Sequence, residues 1–371
     1  MTTRGLITLA AGGTGGHLFP AQALAEELVR RGYVVHLMSD ERVQQYGAKF
    51  PAADIHVIPS ATVTIKKPWT WPASLLRLMA GYRKAHSILD QTRPLAVTGF
   101  GGYPSLPPLA AATRLGIATL IHEQNAVMGR ANRIMAKRVD VIASSFPDIV
   151  NLDDRLKDKL VMTGNPVRDL VLDVAGAPYV APKPDETFNL LVFGGSQGAR
   201  FFSDMMPGVF AAMADAARRR LKVVQQCRPE DIERVRKAYE DMGLDCELQS
   251  FFAGMPRRIA DAHLVIGRSG ASTIAELGVI GRPAILVPLP HALDNDQLRN
   301  AQSFSAAGAG WLKPQGDIVA DELAAFLTRL MYRPEELSAA AAAALGHGHA
   351  DAAERLAGVI EQTIAQHGAK G

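Results

Sequence analysis

The residue types that carry chemistry in this chain cluster at glycine turns. Gly12-Gly13-Thr14-Gly15-Gly16 runs directly into His17, and Gly194-Gly195-Ser196-Gln197-Gly198 repeats the pattern in the second half. A glycine turn between a strand and a helix lets backbone N–H groups approach an anion, and the helix N-terminus adds a favourable dipole. His17 titrates near neutral pH and stands where a helix begins, so it is a candidate base; the plainer reading is a packing or capping histidine. The dinucleotide pattern G-x-G-x-x-G fails, because the third glycine position counted from Gly13 is Leu18. Asp40 stands where a ribose ligand would, yet neither loop ends in the Gly-Lys-Ser/Thr of a P-loop. Asp294-Asn295-Asp296 has a D-x-D spacing that can hold a divalent ion, although so short a match arises often by chance.

The elements that position these residues are legible as a rhythm. Short apolar runs (Leu6–Ala10, Val34–Met38, Ile55–Ile58, Ala96–Thr98, Thr119–His122, Val139–Ala143 and Leu160–Thr163) alternate with helix-length stretches such as Ala21–Arg31 and Leu75–Leu89. The second half offers Leu190–Phe193, Lys222–Gln226, Glu247–Phe251, Leu264–Ile266 and Ala284–Val287. Strands apolar throughout, alternating with helices, predict an α/β chain with parallel sheets covered on both faces. Residues 175–187, rich in proline and glycine, read as a linker. Ala339–Leu345 reads as a helix capped by Gly346, and Asp351–Gln366 as a last amphipathic helix.

Composition bounds the function. The 371 residues suggest two or three domains. With 40 Lys and Arg against 37 Asp and Glu, the net charge of +3 is too balanced for nucleic acid as the main partner. Cys227 and Cys246 form no metal motif, and so few cysteines suit a reducing compartment. Leu6–Ala11 is shorter than a signal-peptide core, and no stretch approaches the roughly 20 apolar residues of a membrane span. The expectation is a soluble chain, or one resting on a membrane surface. Lys66, Lys67, Trp69, Trp71, Leu75 and Arg77 offer the means for the latter: aromatic and aliphatic groups for the interface, cations for anionic headgroups. The plainer reading is a surface loop entering a core-facing helix.

Seven motifs in order carry a resemblance. GGTGGHLFPAQALAEEL (residues 12–28), TGFGGYPSLPP (98–108), HEQNAVMGRANR (122–133), TGNPVR (163–168), FGGSQGAR (193–200), GRSGASTIAE (267–276) and PHALDNDQLRNA (290–301) resemble the bacterial undecaprenyl-diphospho-muramoylpentapeptide β-N-acetylglucosaminyltransferases, over nearly the whole chain. The resemblance implies a GT-B fold, two Rossmann-like domains facing across a cleft. The domains would be residues 1–165 (acceptor and membrane side) and 166–345 (nucleotide sugar), with 346–371 packing back on the first. It implies UDP-N-acetylglucosamine as donor, lipid I as acceptor, lipid II as product with inversion at the anomeric carbon, and no required cofactor or essential metal. The place of action would be the cytoplasmic face of the inner membrane, peripherally bound.

Residue by residue, the resemblance places Thr14, Gly15 and Gly16 at the sugar or the acceptor diphosphate, and Asn125 at the sugar. It places Arg168 and Ser196 near the donor phosphates and Phe252 at uracil through its backbone. Ala271, Ser272 and Thr273 fall at the diphosphate and ribose, Glu276 at the ribose hydroxyls and Gln297 at the sugar hydroxyls. His17 becomes the leading catalytic base, with Glu123 as rival. For Glu276 a plainer reading exists, since Thr273-x-x-Glu276 is a capping-box pattern. Competing functions are another GT-B lipid glycosyltransferase, a UDP-N-acetylglucosamine 2-epimerase, a non-catalytic membrane-docked partner and a dinucleotide oxidoreductase.

Overall fold

A continuous apolar strand is stable only with both faces covered, and a parallel neighbour requires a crossover helix. The computed structural model describes residues 3–45, 50–61, 71–290 and 292–369, and the chain divides into two compact units, 1–169 with 349–371, and 170–348. Their limits lie three to four residues beyond those the sequence suggested.

The first unit runs β1 (Leu6–Ala10), α1 (Gly15–Arg30), β2 (Val34–Ser39), β3 (Asp54–Val57), α2 (Trp71–Thr92), β4 (Ala96–Gly99), α3 (Leu106–Arg114), β5 (Ala118–Glu123), α4 (Arg130–Met135), β6 (Val141–Ser144) and β7 (Leu160–Met162). Among the described residues these strands form a parallel sheet in the order β3-β2-β1-β4-β5-β6-β7. Helix α5 (Asp169–Ala175) spans the boundary, and residues 176–187 carry neither helix nor strand.

The second unit runs β8 (Phe188–Phe193), α6 (Gly195–Ala212), α7 (Asp215–Arg218), β9 (Leu221–Gln226), α8 (Ile232–Asp241), β10 (Asp245–Gln249), α9 (Met255–Asp261), β11 (Leu264–Gly267), α10 (Ala271–Ile280), β12 (Ala284–Leu286), α11 (Asp296–Ala306), β13 (Gly310–Leu312), α12 (Ala320–Met331) and α13 (Pro334–His347). Its described strands are parallel in the order β10-β9-β8-β11-β12-β13. The second order repeats the first six strands of the first, and β7 has no counterpart among the described strands. The repeated glycine loops therefore follow equivalent central strands, β1 and β8, beside the point where strand order reverses; open α/β sheets bind ligands outside the strand C-termini there.

Helix α14 (Ala352–Gly368) belongs to the first unit. Leu356, Ala357 and Ile360 enter the core formed by Ile7, Leu9, Leu24 and Leu28. Glu361 ties the outer face, accepting from Arg31 at 2.9 Å and Arg4 at 2.8 Å.

Three sequence expectations shift. Helix α1 begins at Gly15 rather than Ala21 and runs through Pro20, because it is nucleated by the glycine turn. Helix α13 continues past Gly346 to His347. Gly348 is the glycine the geometry needs: a Cβ there would stand 2.3 Å from the Gly278 carbonyl carbon. The strand expected over Glu247–Phe251 lies at Asp245–Gln249, and three-residue β13 is too short to carry a periodic signal.

Candidate active site

In the first unit, the loops after β1 to β4 enclose a cavity of about 390 Å³, lined by Thr14, His17, Asp40, Arg42, Arg77 and Tyr103 among others. The glycine turn contributes Thr14 to its wall. Thr14, extended at φ −115° and ψ 150°, precedes α1 without a side-chain cap. A Cβ on Gly13 would meet Asp40 Oδ1 at 2.5 Å, so only glycine fits. Asp40, the ribose candidate, is instead bound to the fold. It accepts from the backbone N–H and the guanidinium of Arg42 at about 3 Å and from the Gly13 N–H, and these bonds hold its carboxyl below the usual range.

His17 is half-buried on the first turn of α1, and its Nδ1 lies 3.3 Å from Gln124 Oε1. Burial pushes its pKa down, partly offset by Gln124 and the Phe100 carbonyl. The ring is thus neutral and able to take a proton at pH 7. Glu123, the rival base, is 1% exposed. One carboxyl oxygen accepts from the N–H of Gly129 at 2.9 Å and Asn132 Nδ2 at 2.8 Å; the other accepts from the Asn125 N–H at 3.1 Å and Asn125 Nδ2 at 3.4 Å. Those bonds knit the loop that follows β5. The geometry separates the two candidates: His17 lines a cavity, whereas Glu123 is enclosed by donors of its own loop. Asn125 beside it is half-buried.

Arg168 also lies in the first unit, its guanidinium 3.9 Å from the Phe19 ring centroid. Of the membrane candidates, Lys66, Lys67 and Trp69 lie outside the described residues. Trp71, Leu75, Leu76 and Met79, on the first turns of α2, are 46%, 60%, 67% and 44% exposed and form an apolar stripe, whereas Arg77 falls on the other face and donates to Glu41 at 3.4 Å. Among the described residues no helix is long and apolar enough to cross a membrane.

In the second unit, Ser196, Phe252, the 271–276 segment and Gln297 all follow the C-terminal ends of strands. Ser196 lies in the first turn of α6, after Gly195 at φ +64°. Gln226 supports that turn, its Oε1 accepting from the Gly195 N–H at 3.0 Å and the Gly194 N–H at 3.3 Å. Helix α10 starts at Ala271 with Gly270 as N-cap and no side-chain cap. Thr273 is therefore inside the helix and the capping box does not form; the first N–H groups, at Ala271, Ser272 and Thr273, face the end of the helix. Glu276 stands half-buried one turn further on. Gln297 Oε1 accepts from the Leu289 N–H at 3.0 Å, which leaves the Nε2 end as its donor. Asp294 and Asn295 take φ +56° and +57° in a tight turn into α11, and Asp296 Oδ1 accepts from the Gln297 N–H at 2.7 Å. Phe252 is buried with the Arg258 guanidinium over its ring, whereas Phe251 is 74% exposed.

Four supporting residues escaped the sequence reading: Gln124, Gln226, Arg268 and Asn300. Arg268 is 6% exposed, donates to the Val287 and Pro288 carbonyls at 3.0 and 3.1 Å and to Gln315, and stacks on Phe201 and Phe202. Asn300 donates to the Ser269 carbonyl at 3.1 Å, locking α11 to the turn before α10. Their one signal is polarity where apolar residues are expected, at strand ends and on a core-facing helix.

Comparison with known proteins decides the family. The glycosyltransferase family 28 N-terminal domain matches residues 7–144 and the C-terminal domain residues 189–356. The chain is 52% identical to the UDP-N-acetylglucosamine–N-acetylmuramyl-(pentapeptide) pyrophosphoryl-undecaprenol N-acetylglucosamine transferase of Mesorhizobium japonicum, over 98% of this chain and 96% of that one. The chain belongs to this family of glycosyltransferases. The Agrobacterium fabrum relative of the same name is 50% identical over 96% of this chain and 94% of its own length. Among solved structures, Acinetobacter baumannii MurG aligns with TM-score 0.76 at 27% identity, covering 96% of this chain and 99% of that one. A Listeria monocytogenes structure titled as a putative UDP-N-acetylglucosamine 2-epimerase aligns at TM-score 0.69 with 14% identity over 98% of each chain, a likeness of fold alone. The two-unit α/β architecture is the GT-B fold.

Proposed function

We propose that this chain transfers N-acetylglucosamine from UDP-N-acetylglucosamine to the 4-hydroxyl of the muramoyl sugar of lipid I, giving lipid II for peptidoglycan synthesis. The observation that carries the reading is half the residues shared, end to end, with relatives named for that transfer. His17 removes the proton from the acceptor hydroxyl. The oxygen attacks the anomeric carbon, whose bond to the diphosphate breaks with its electron pair leaving on UDP, and the configuration inverts. The N-terminus of α10, with Ala271, Ser272 and Thr273, Ser196 and Arg168 offset the charge growing on the diphosphate. Glu276 accepts from ribose hydroxyls, Gln297 donates to a sugar hydroxyl, the Phe252 backbone meets uracil, Thr14, Gly15 and Gly16 meet the sugar or the acceptor diphosphate, and Asn125 meets the sugar. With dipoles and cations in that role, no metal or cofactor is required.

The acceptor's lipid brings the enzyme to the cytoplasmic face of the inner membrane, peripherally. The exposed stripe of Trp71, Leu75, Leu76 and Met79 supports this, and the sequence supplies Lys66, Lys67 and Trp69 just before it and Arg77 within it as further candidates.

The test is transfer of radiolabelled N-acetylglucosamine from UDP to a lipid I analogue, with and without EDTA. Labelled lipid in both conditions is expected. Loss only with EDTA would overturn the metal-independent part; label recovered as a different free sugar would mean an epimerase. His17→Ala is expected to lower kcat by roughly 10²- to 10⁴-fold, the usual worth of a general base; unchanged kcat would remove His17 from the role. Flotation with anionic vesicles reads the surface: charge reversal at Lys66, Lys67 and Arg77 should weaken binding, and unchanged binding counts against it.

A further inference from the structure

The HEQN segment contains a chain of hydrogen bonds whose polarity is fixed from one end. His122 Nε2 lies 2.9 Å from the Gly164 carbonyl oxygen, which can only accept, so Nε2 carries the proton. His122 is fully buried, and burial lowers its pKa to about 4, so the ring is neutral and its Nδ1 is a bare acceptor. Gln124 Nε2 lies 3.1 Å from that Nδ1 and 2.9 Å from the His122 carbonyl oxygen. Two acceptors on one side fix which end of the amide is nitrogen. Gln124 is itself 1% exposed, with no solvent to compensate a flipped amide. Its Oε1 therefore faces His17 Nδ1 at 3.3 Å.

We infer that Gln124, oriented by His122 and through it by the Gly164 carbonyl, is a positioning residue that keeps the proton of His17 on Nδ1 and so presents the Nε2 lone pair for proton abstraction. The inference rests on the reading of His17 as the base. Nδ1 is turned to Gln124, the Phe100 carbonyl is a second acceptor at the ring, and His17 lines the cavity after β1. A histidine side chain in water prefers its proton on Nε2, the tautomer that cannot accept there, so a partner at Nδ1 is needed. The relay uses no carboxylate: Glu123, next in sequence, spends both oxygens on its own loop. A neutral amide fixes the tautomer while raising the base's pKa less than a carboxylate would. Arg42, which lowers the His17 pKa and is paired with Asp40, is the charged group acting on the ring, and His122 lies behind Gln124.

The experiment is long-range ¹⁵N–¹H correlation on the full chain labelled with ¹⁵N-histidine. The sequence has 10 histidines, and His17→Ala assigns the signal. Wild type is expected to show His17 protonated on Nδ1; Nε2–H would overturn the relay at once. Gln124→Leu should move the proton to Nε2 and lower kcat by about 10- to 100-fold, with the donor KM within about two-fold. Gln124→Glu keeps an oxygen at Nδ1, so it should retain the Nδ1–H tautomer, recover most of kcat and move the acid limb of the pH–rate profile upward. Full kcat in Gln124→Leu with the tautomer unchanged would sink the relay while leaving His17 as base. Full kcat in His17→Ala would sink the base reading instead.

Discussion

At the scale of single residues, the site separates groups that act from groups that hold. Glu123 and His17 come from motifs of equal prominence, and both are ionisable. Burial sets their surroundings apart: a carboxylate at 1% exposure survives only if its lone pairs find donors, and Glu123 finds them in Gly129, Asn132 and Asn125. Burial pushes its pKa up and the donors pull it back. Glu123→Gln sets an NH₂ against N–H groups, so it is expected to cost about 1–3 kcal/mol of stability, the penalty of an unsatisfied buried donor. Thermal unfolding reads that loss, and the pH–rate profile should keep its shape. A profile that loses a limb with no fall in Tm would return Glu123 to the chemistry.

At the scale of elements, the first glycine loop is defined by what its positions exclude. A Cβ on Gly13 would lie 2.5 Å from Asp40 Oδ1 and 2.7 Å from Arg42 Cβ; at Gly16 nothing stands within 4 Å. Gly13→Ala is therefore expected to break the Asp40 contact that ties the β1 loop to β2, lowering Tm by several degrees, in line with the 1–3 kcal/mol of an overpacked site. Gly16→Ala should leave Tm nearly unchanged, because the methyl enters open space and alanine favours the helix. Any fall in kcat/KM for Gly16→Ala then reports the substrate against that methyl. Equal Tm losses in both variants would refute the steric account.

At the scale of the whole molecule, buried histidines set the acid limit. His122 stays neutral in the folded chain down to about pH 4, against 6.5 for the free side chain. Between these values the unfolded chain binds more protons, so stability rises with pH across that window and is lost as pH falls from 6.5 toward 4. The shift corresponds to a loss of about 3 kcal/mol, absent above pH 6.5 and complete near pH 4. His17, His56, His263 and His349 are lowered in the same sense by burial. Urea titrations at pH 7 and pH 4.5 should show the acid loss, and His122→Phe should flatten it; an equally steep dependence in that variant would assign the loss to other groups.

What the sequence determined by itself is local and periodic. Short apolar runs announced twelve of the strand positions, and the central strands among them are apolar because they are buried on both faces; the glycine turns, the order of motifs and the family followed from short contiguous strings. It left open what depends on contacts between distant segments. The β10 boundary and β13 were set by neighbouring strands, and the end of α13 by the approach of Gly348 to Gly278. No spacing distinguishes His17 from Glu123 as the residue beside a cavity, because the donors that enclose Glu123 come from Asn125, Gly129 and Asn132, and the oxygen that orients His17 comes from Gln124, 107 positions away. A hydrogen bond has a direction only once both partners are in place, so the protonation of the candidate base belonged to the tertiary structure alone.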